Sequence, residues 1–193
     1  MKSQFKLTKR QSKVLIATAL LILMPLLGIG VTNSNNVRTT FTNANPGLYE
    51  VAKISDGDTI VVKIDGKEDT IRMIGVDTPE THHPKKPVQC FGMAASSFTK
   101  NLIGDSRVRL EADPEDDNKD IYGRLLRYVY LPNGTLVNKE IVTQGYGFAY
   151  TVFPFTKLEE FRDAGREARD SKRGLWSGCQ VENEGDTFST GAE

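Results

Sequence analysis

The sequence is poor in the residues that build small metal or disulfide scaffolds, and it has no excess of either charge. Its 193 residues include two cysteines and two histidines, too few for a disulfide-dense scaffold or a cysteine-built structural zinc site. The net charge is zero, with 25 Lys and Arg against 25 Asp and Glu. This balance excludes a protein that holds nucleic acid through bulk positive charge. Because 38% of the residues are hydrophobic and 26% charged, a folded core is expected.

The zero net charge is the sum of three segments that differ in sign. Residues 1–49 contain six basic residues and no acidic one, whereas residues 180–193 contain four acidic residues and no basic one. The middle segment, residues 50–179, contains 19 basic and 21 acidic residues. Only this middle segment therefore describes the charge of the folded domain.

An apolar run from Val14 to Val31 follows five basic residues near the N-terminus. The pattern is typical of a signal peptide or a short membrane anchor, and it predicts that the basic residues stay in the cytoplasm. Because no clear cleavage site follows the run, both alternatives stay open for residues 1–31. The domain is expected outside the cell, secreted or anchored to the outer face of the cell membrane.

The rest of the chain divides into a spacer, a domain and a tail. Residues 32–47 are rich in Asn and Thr and are predicted to be a flexible spacer. Residues 180–193 are polar and acidic and are predicted to be a disordered tail. Residues 48–179 carry the periodic hydrophobic patterns of a folded domain.

The pattern within residues 48–179 predicts five strands and three helices. Asp-Gly pairs at 56–57 and 65–66 separate β-branched runs and predict hairpins. The predicted strands are residues 48–54, 59–64, 70–76, 107–111 and 125–131, and the predicted helices are residues 92–103, 137–144 and 157–171. The order β-β-β-α-β-β-α-α predicts an α+β fold, a five-stranded OB-type β-barrel packed by three helices.

The third predicted strand leads into a cluster of charged residues that includes Arg72, Asp77 and Glu80. Arg72 lies among apolar neighbours, so its side chain needs an anionic partner or solvent. Asp77 and Glu80 flank a Thr-Pro turn that places both carboxylates on one loop. Antiparallel pairing brings Asp58 towards Asp77, and two carboxylates with a backbone carbonyl suit Ca²⁺ or another hard cation.

Together with Arg124, at the start of the fifth strand, this cluster predicts phosphodiester hydrolysis. A cation would bind a phosphate oxygen, and Glu80 would accept a proton from an attacking water. Arg72 and Arg124 would bind the phosphate and stabilise the transition state. For any one of these residues, the alternative is a structural role in a turn or a surface ion pair.

Residues 48–176 resemble the thermonuclease family, the staphylococcal-nuclease type, through motifs that occur in the family's order and spacing. The motifs are Ser55-Asp56-Gly57-Asp58-Thr59, Arg72 to Glu80, His83-Pro84-Lys85-Lys86, Asp120 to Arg124 and Gly174-Leu175-Trp176. The resemblance implies a Ca²⁺-dependent endonuclease that cleaves DNA and RNA and leaves 3′-phosphate ends. Single-stranded or locally opened nucleic acid is the expected partner, and the sequence does not rank DNA over RNA.

The resemblance also implies a role for each matching residue. The family's catalytic residues correspond here to Arg72, Glu80 and Arg124. Its calcium ligands correspond to the carboxylates of Asp58 and Asp77 and to the backbone carbonyl of Thr78. Asp56 corresponds to an acid that lies behind these ligands.

The expected nucleotide contacts are four residues, Lys85, Lys86, Tyr122 and Tyr150. The lysines lie in the basic loop after Glu80, Tyr122 matches a phosphate-contacting tyrosine, and Tyr150 could stack on a base. Two departures from the family weaken this part of the resemblance. Ile121 stands where a lysine often precedes the tyrosine, and Phe153 or Val152 falls where a second tyrosine is expected.

Cys90 and Cys179 are a candidate disulfide, because exported proteins with two cysteines often join them. The alternative is two unpaired thiols. The adjacent histidines, His82 and His83, do not predict zinc, because no cysteine or third histidine is close in the sequence.

Two other functions compete with the enzyme. One is a catalytically silent OB-fold module that binds nucleic acid or protein, and the other is a phosphodiesterase on small substrates. Silent modules usually lose the arginines or carboxylates that this chain retains, so the enzyme is favoured. The protein is expected to be a monomer without an obligate protein partner, touching a membrane only if its N-terminal segment is retained.

Overall fold

The structure is a computed structural model that describes residues 47–81 and 87–192. These residues belong to one compact unit that spans residues 43–193. The predicted export segment and nearly all of the predicted spacer lie outside the described residues and stay predictions. Across the two described ranges, none of the helices has the length and apolar character needed to span a membrane.

The described residues form nine strands and four helices. The strands are β1 (Glu50–Asp56), β2 (Thr59–Ile64), β3 (Lys67–Met73), β4 (Val76–Asp77), β5 (Arg109–Glu111), β6 (Leu125–Tyr130), β7 (Phe148–Ala149), β8 (Val181–Glu184) and β9 (Thr187–Thr190). The helices are α1 (Gly92–Ile103), α2 (Val137–Thr143), α3 (Leu158–Asp170) and α4 (Leu175–Gly178). The predicted helices and four of the predicted strands occur, most of them with their ends shifted by a few residues. The predicted strand at residues 70–76 is wrong in one respect, because a turn after Met73 divides it between β3 and β4.

Strands β1 to β3 form the antiparallel meander that the Asp-Gly pairs predict. Asp65 and Gly66 link β2 to β3 with positive φ angles of 50° and 78°, as a two-residue hairpin turn requires. Alternate residues such as Ile60 and Val62 on β2, and Ile71 on β3, are fully buried. Burial of one face therefore fixes the register of the meander.

The main sheet has five strands in the order β1-β2-β3-β6-β5. Strands β3 and β6 run parallel, and the other neighbours run antiparallel. Backbone hydrogen bonds of 2.7 and 2.9 Å also join Tyr49, just before β1, to Val108, just before β5. The fold is thus a mixed α+β domain with a five-stranded sheet and three longer helices.

Asn138, the fully buried second residue of α2, ties this helix to the sheet. Its side-chain oxygen accepts a 2.8 Å bond from the backbone of Val129. Its amide nitrogen donates to the carbonyls of Ile74 and Arg127 at 2.9 and 3.1 Å. Because a buried polar group is costly unless paired, these bonds hold the turn before β4 in one position against β6.

A second small pairing, between β4 and β7, supports the loop that carries the charged cluster. Asp77 lies opposite Phe148 in this pairing. A Cβ atom on Gly147 would lie only 3.0 Å from the Asp77 carbonyl oxygen and from the Thr78 side chain. The strands approach this closely because residue 147 has no side chain.

The prediction of a disordered tail is wrong for most of residues 180–193, because β8 and β9 form an antiparallel hairpin. Phe188 of β9 stacks on Phe148 with ring centroids 5.8 Å apart and meets Trp176 edge-on at 5.3 Å. The acidic composition of the tail predicted disorder, although the tail contains one aromatic residue, Phe188, that packs against the domain. Long-range aromatic contacts therefore order a segment whose composition is typical of disorder.

The hairpin is also attached at its base. Cys90 and Cys179 are joined by a disulfide, so the alternative of two free thiols does not hold in the structure. The backbone of Cys90 donates to the Gly191 carbonyl at 2.8 Å. The C-terminal hairpin is thus fixed to the beginning of α1.

Candidate active site

Arg72 lies on β3 and points its guanidinium at the turn that follows the strand. Its Nη1 atom donates to the carbonyls of Met73 and Val76 at 3.1 and 2.6 Å. These carbonyls flank a turn in which Gly75 adopts a φ of 77°. The side chain is only 15% exposed, so the turn holds the guanidinium in one position.

Asp58 lies just before β2 and is buried. Its Oδ2 atom accepts bonds from the backbone and hydroxyl of Thr78 at 2.8 and 3.0 Å. Its Oδ1 atom accepts a 2.9 Å bond from the Thr59 hydroxyl. Asp58 therefore connects the first hairpin to the loop after β4.

Arg72 forms ion pairs with both Asp58 and Asp77. Nη1 lies 3.3 Å from Oδ2 of Asp58, and Nη2 lies 2.6 Å from Oδ1 of Asp77. Burial lowers the pKa of Arg72, but the charges of the two aspartates outweigh it and raise the pKa. One buried arginine thus holds two carboxylates from different strands beside each other.

Asp56 and Glu80 lie on the other side of this group. Asp56 accepts bonds from the backbone of Gly57 at 2.8 Å and from the hydroxyl of Thr81 at 3.2 Å. Glu80 is exposed, and partial desolvation together with the charges of Asp56 and Asp58 raises its pKa to about 7. A carboxylate with a pKa near neutrality is suited to accept a proton.

Arg124 is held by Asp120 rather than by the sheet. Its Nε atom donates to Oδ2 of Asp120 at 2.6 Å, and its backbone nitrogen donates to Oδ1 at 2.9 Å. Desolvation of Asp120 opposes these bonds, but they lower its pKa and keep it charged. The guanidinium carbon of Arg124 also lies 5.4 Å from the centre of the Tyr122 ring.

A cavity of about 530 Å³ joins the two arginines. Its wall includes five of the predicted site residues: Arg72, Asp77, Tyr122, Arg124 and Tyr150. The other predicted catalytic and metal-binding residues that the structure describes, Asp56, Asp58, Thr78 and Glu80, are not part of the wall. Asp58 is linked to it by its ion pair with Arg72, and Thr78 is linked through Asp58.

The mouth of the cavity is apolar and exposed. Ile121, Tyr122 and Phe153 are 92%, 78% and 59% exposed. The rings of Tyr150 and Phe153 lie with their centroids 6.1 Å apart. Phe153, one of the two residues at which the resemblance implies a second tyrosine, therefore lies beside Tyr150. Lys85 and Lys86, with His82 and His83, lie outside the described residues.

The charge balance of the site favours a cation. Partial burial and the charge of Asp58 raise the pKa of Asp77 to about 6, although Arg72 acts in the opposite direction. Desolvation and the charge of Asp58 also raise the pKa of Asp56. Within residues 47–81 and 87–192, no three Asp, Glu, His or Cys side chains converge as a ready-made metal cluster. The crowded carboxylates nevertheless match the oxygen donors of a hard cation that is also bound by carbonyls and water.

Two residues of the site had no assigned role in the sequence reasoning. Asp120 orients Arg124, and its four-residue spacing before an arginine in a Gly-containing turn was a usable signal. Gln89 bonds the backbone of Glu80, and nothing in its local sequence indicates this contact.

The amino-acid sequence of this chain is similar to those of known nucleases. A family model described as "Staphylococcal nuclease homologue" matches residues 70–178, more than half of the chain. The thermonuclease of Staphylococcus hyicus is 43% identical over 137 residues, covering 70% of this chain and 79% of that protein. The thermonuclease of Staphylococcus intermedius is 40% identical over 136 residues, with the same coverage of both chains. Endonuclease YncB of Bacillus subtilis is 43% identical over 124 residues, covering 63% of this chain and 58% of that protein.

Proposed function

Since the chain belongs to the staphylococcal nuclease family and is a phosphodiester-hydrolysing nuclease, we propose that it is a calcium-dependent endonuclease of DNA and RNA that leaves 3′-phosphate ends. The observation that carries this proposal is one cavity lined by two oriented arginines and by Asp77. The carboxylates of Asp58 and Asp56 crowd against Asp77 outside the cavity wall. The proposed mechanism assigns a task to each of these groups.

The two arginines would bind the scissile phosphate. A guanidinium has five N–H donors, and Arg72 uses three of them for Met73, Val76 and Asp77. Within the described residues, this leaves its Nε–H and one Nη2–H. Arg124 uses its Nε–H for Asp120, which leaves its two Nη groups. Each arginine therefore keeps a pair of donors suited to two phosphate oxygens.

Glu80 would accept the proton of the attacking water. Its raised pKa of about 7 makes it a stronger base than an ordinary carboxylate and leaves a useful fraction ionised at neutral pH. The charge that develops on the phosphate oxygens would be stabilised by the donors of Arg72 and Arg124, which are already oriented before the substrate binds.

Asp58 and Asp77, with the backbone carbonyl of Thr78, would hold the calcium ion. The ion would neutralise negative charge on the bound phosphate and among the crowded carboxylates. Asp56 would support this group from behind through its bond with Thr81. Calcium suits these residues because their donors are oxygens alone.

The apolar mouth of the cavity would bind bases. Tyr122 and Tyr150, with Phe153, offer ring faces on which unpaired bases stack without regard to sequence. Lys85 and Lys86 would contact neighbouring phosphates. This supports cleavage of single-stranded or locally opened DNA and RNA.

The remaining parts of the proposal concern the whole protein. The basic and apolar N-terminal pattern supports export, with the domain secreted or anchored at the outer face of the cell membrane. The bridge between Tyr49 and Val108 supports closure of the five-stranded sheet as an OB-type barrel. We expect a monomer.

A digestion assay tests this function. Purified protein is incubated with plasmid DNA and with RNA in calcium, in EDTA, and in EDTA followed by excess calcium. We expect cleavage in calcium, none in EDTA and recovery on readdition. The products should block polymerase extension until a 3′-phosphatase treats them. Full activity in EDTA would contradict the metal role, and binding without cleavage would favour the silent module.

A further inference from the structure

Glu80 is held at its backbone by Gln89, a residue outside the cavity. The Gln89 side-chain oxygen accepts a 2.7 Å bond from the Glu80 backbone nitrogen. The Gln89 backbone nitrogen donates a 3.0 Å bond to the Glu80 carbonyl. Both polar groups of the Glu80 backbone are therefore bonded by a single residue nine positions later in the chain.

The beginning of α1 packs against the same peptide. A Cβ atom on Gly92 would lie 2.8 Å from the Glu80 carbonyl oxygen and 3.2 Å from the Pro79 carbonyl oxygen. Phe91, just before the helix, adopts a φ of 74°. The chain thus takes a strained turn and has no side chain at position 92, which lets the helix lie directly on the Glu80 backbone.

The C-terminal hairpin holds Gln89 in turn. The Gln89 amide nitrogen donates to the Thr190 carbonyl at 3.2 Å. The Thr190 hydroxyl donates to the Cys90 carbonyl at 2.9 Å, and Thr190 is buried. The disulfide from Cys90 to Cys179 fixes the other end of the hairpin, across 89 positions of the chain.

We propose that Gln89 is a positioning residue for Glu80, and that the C-terminal hairpin and its disulfide serve catalysis by holding Gln89. The proposal rests on the proposed function in one respect, the role of Glu80 as proton acceptor. The Glu80 side chain is exposed and also contacts Asp56, so the backbone that Gln89 holds sets where its carboxylate starts from. A displacement of about 1 Å in a reacting group can lower the rate about a hundredfold.

The direct test replaces Gln89 by methionine, which keeps the length of the side chain and removes both amide bonds. We expect kcat for DNA cleavage to fall by about ten- to a hundredfold. KM and the affinity for calcium should change by less than about twofold, since Gln89 does not contact Arg72, Asp58 or Asp77. Gln144→Met is the matched control, because the exposed Gln144 side chain bonds Glu140 at the end of α2. This variant should cleave like wild type.

A double variant separates positioning from a general structural effect. If Gln89 acts through Glu80, Gln89→Met should lower the residual rate of Glu80→Gln by less than about twofold. An equal loss in both backgrounds would overturn the proposal, as would wild-type kcat in Gln89→Met. Inactivity of wild type in calcium, or full activity of Glu80→Gln, would instead contradict the proposed function.

A second pair of variants tests the role of the C-terminal hairpin without a substitution at Gln89. Thr190→Val removes the bond to the Cys90 carbonyl, and we expect kcat to fall several-fold with KM unchanged. Thr190→Ser keeps the hydroxyl and should retain the wild-type kcat. Equal kcat in the valine and serine variants would show that the hairpin has no part in positioning, even if Gln89→Met failed to fold.

Discussion

The two sides of the candidate site differ in how their side chains are held. On the sheet side, Arg72 and Asp58 are buried and bonded to two strands and the turn between them. On the loop side, Glu80 is exposed, and Arg124 is fixed mainly by the nearby Asp120. The sheet-side residues are part of the packed interior of the domain, whereas the loop-side residues lie closer to its surface.

This difference separates two tasks that the site has to perform. The buried group places a phosphate and a cation, and its members cannot be removed without exposing unpaired charges to a poorly solvated environment. The loop-side group can carry the chemistry, because its side chains are less buried than Arg72 and Asp58 and contribute less to stability. Substitutions on the loop side should therefore lower activity alone, and substitutions on the sheet side should lower activity and stability together.

The largest effect on activity without a loss of stability is expected for Glu80→Gln on the loop side. Loss of the proton acceptor should lower kcat by about 10²- to 10⁴-fold. The melting temperature should not fall, because desolvation and neighbouring carboxylates raise the pKa of Glu80, so its charge is unfavourable there. Steady-state cleavage and thermal melting measure the two quantities. Glu68→Gln, an exposed glutamate on β3, is the control and should behave as wild type.

Arg124→Ala should lower kcat by about 10²- to 10³-fold, the loss typical of a donor to transition-state charge. Its free energy of unfolding should fall by about 1 kcal/mol, because the ion pair with Asp120 is partly buried but joins residues of one short turn. Urea titrations measure the free energy of unfolding. Arg107→Ala is a control on the exposed surface before β5, and a comparable loss of activity in it would contradict a specific role for Arg124.

Arg72→Ala should inactivate the enzyme and also lower the free energy of unfolding by about 3–5 kcal/mol, because it leaves two carboxylates without their buried partner. The same urea titrations compare it with Arg124→Ala. Equal stability of the two arginine variants would remove the distinction between the sheet side and the loop side.

The stability of the calcium-free protein should decrease as the pH rises from about 4 to 7. Asp77 and Glu80, with pKa values raised to about 6 and 7, bind more protons in the folded state than in the unfolded state over this window. Calcium should therefore raise the melting temperature more at pH 8 than at pH 5. Thermal melts in EDTA and in calcium test this, and an equal shift at both pH values would contradict the placement of the ion among these carboxylates.

The smallest effect is expected at the mouth of the cavity. Ile121→Lys should lower KM for single-stranded DNA a few-fold and make log Kd depend more steeply on log salt, by about one unit of slope. Ile121→Gln is the uncharged control. An unchanged salt dependence in the lysine variant would show that substrate does not pass this side of the mouth.

Local patterns predicted the meander and the sheet side of the site well. The Asp-Gly turns and the alternation in β2 and β3 act between neighbouring residues, so they place Arg72 and Asp58 on one antiparallel meander. The predicted Thr-Pro turn does not form at residues 78–79, and Asp77 is placed by the pairing of β4 with β7. The family resemblance added Thr78 and Asp56 to this group.

The contacts that the sequence did not predict join residues far apart in the chain. Phe188 orders the C-terminal hairpin by packing against Phe148 and Trp176. Gln89 bonds the backbone of Glu80, nine positions earlier in the chain. Neither contact has a periodic pattern, and the acidic composition of the tail favoured disorder. Such contacts form only in the completed fold, so local sequence patterns do not predict them.

The central claim is that Glu80 performs the chemistry at a calcium site built by the sheet side. The most direct test measures calcium affinity by titration calorimetry and the single-turnover rate of plasmid cleavage on the same samples of wild type and Glu80→Gln. The account predicts calcium affinities within about threefold of each other and a rate at least about a hundredfold lower in the variant. Cleavage at the wild-type rate by Glu80→Gln, with calcium bound, would contradict it.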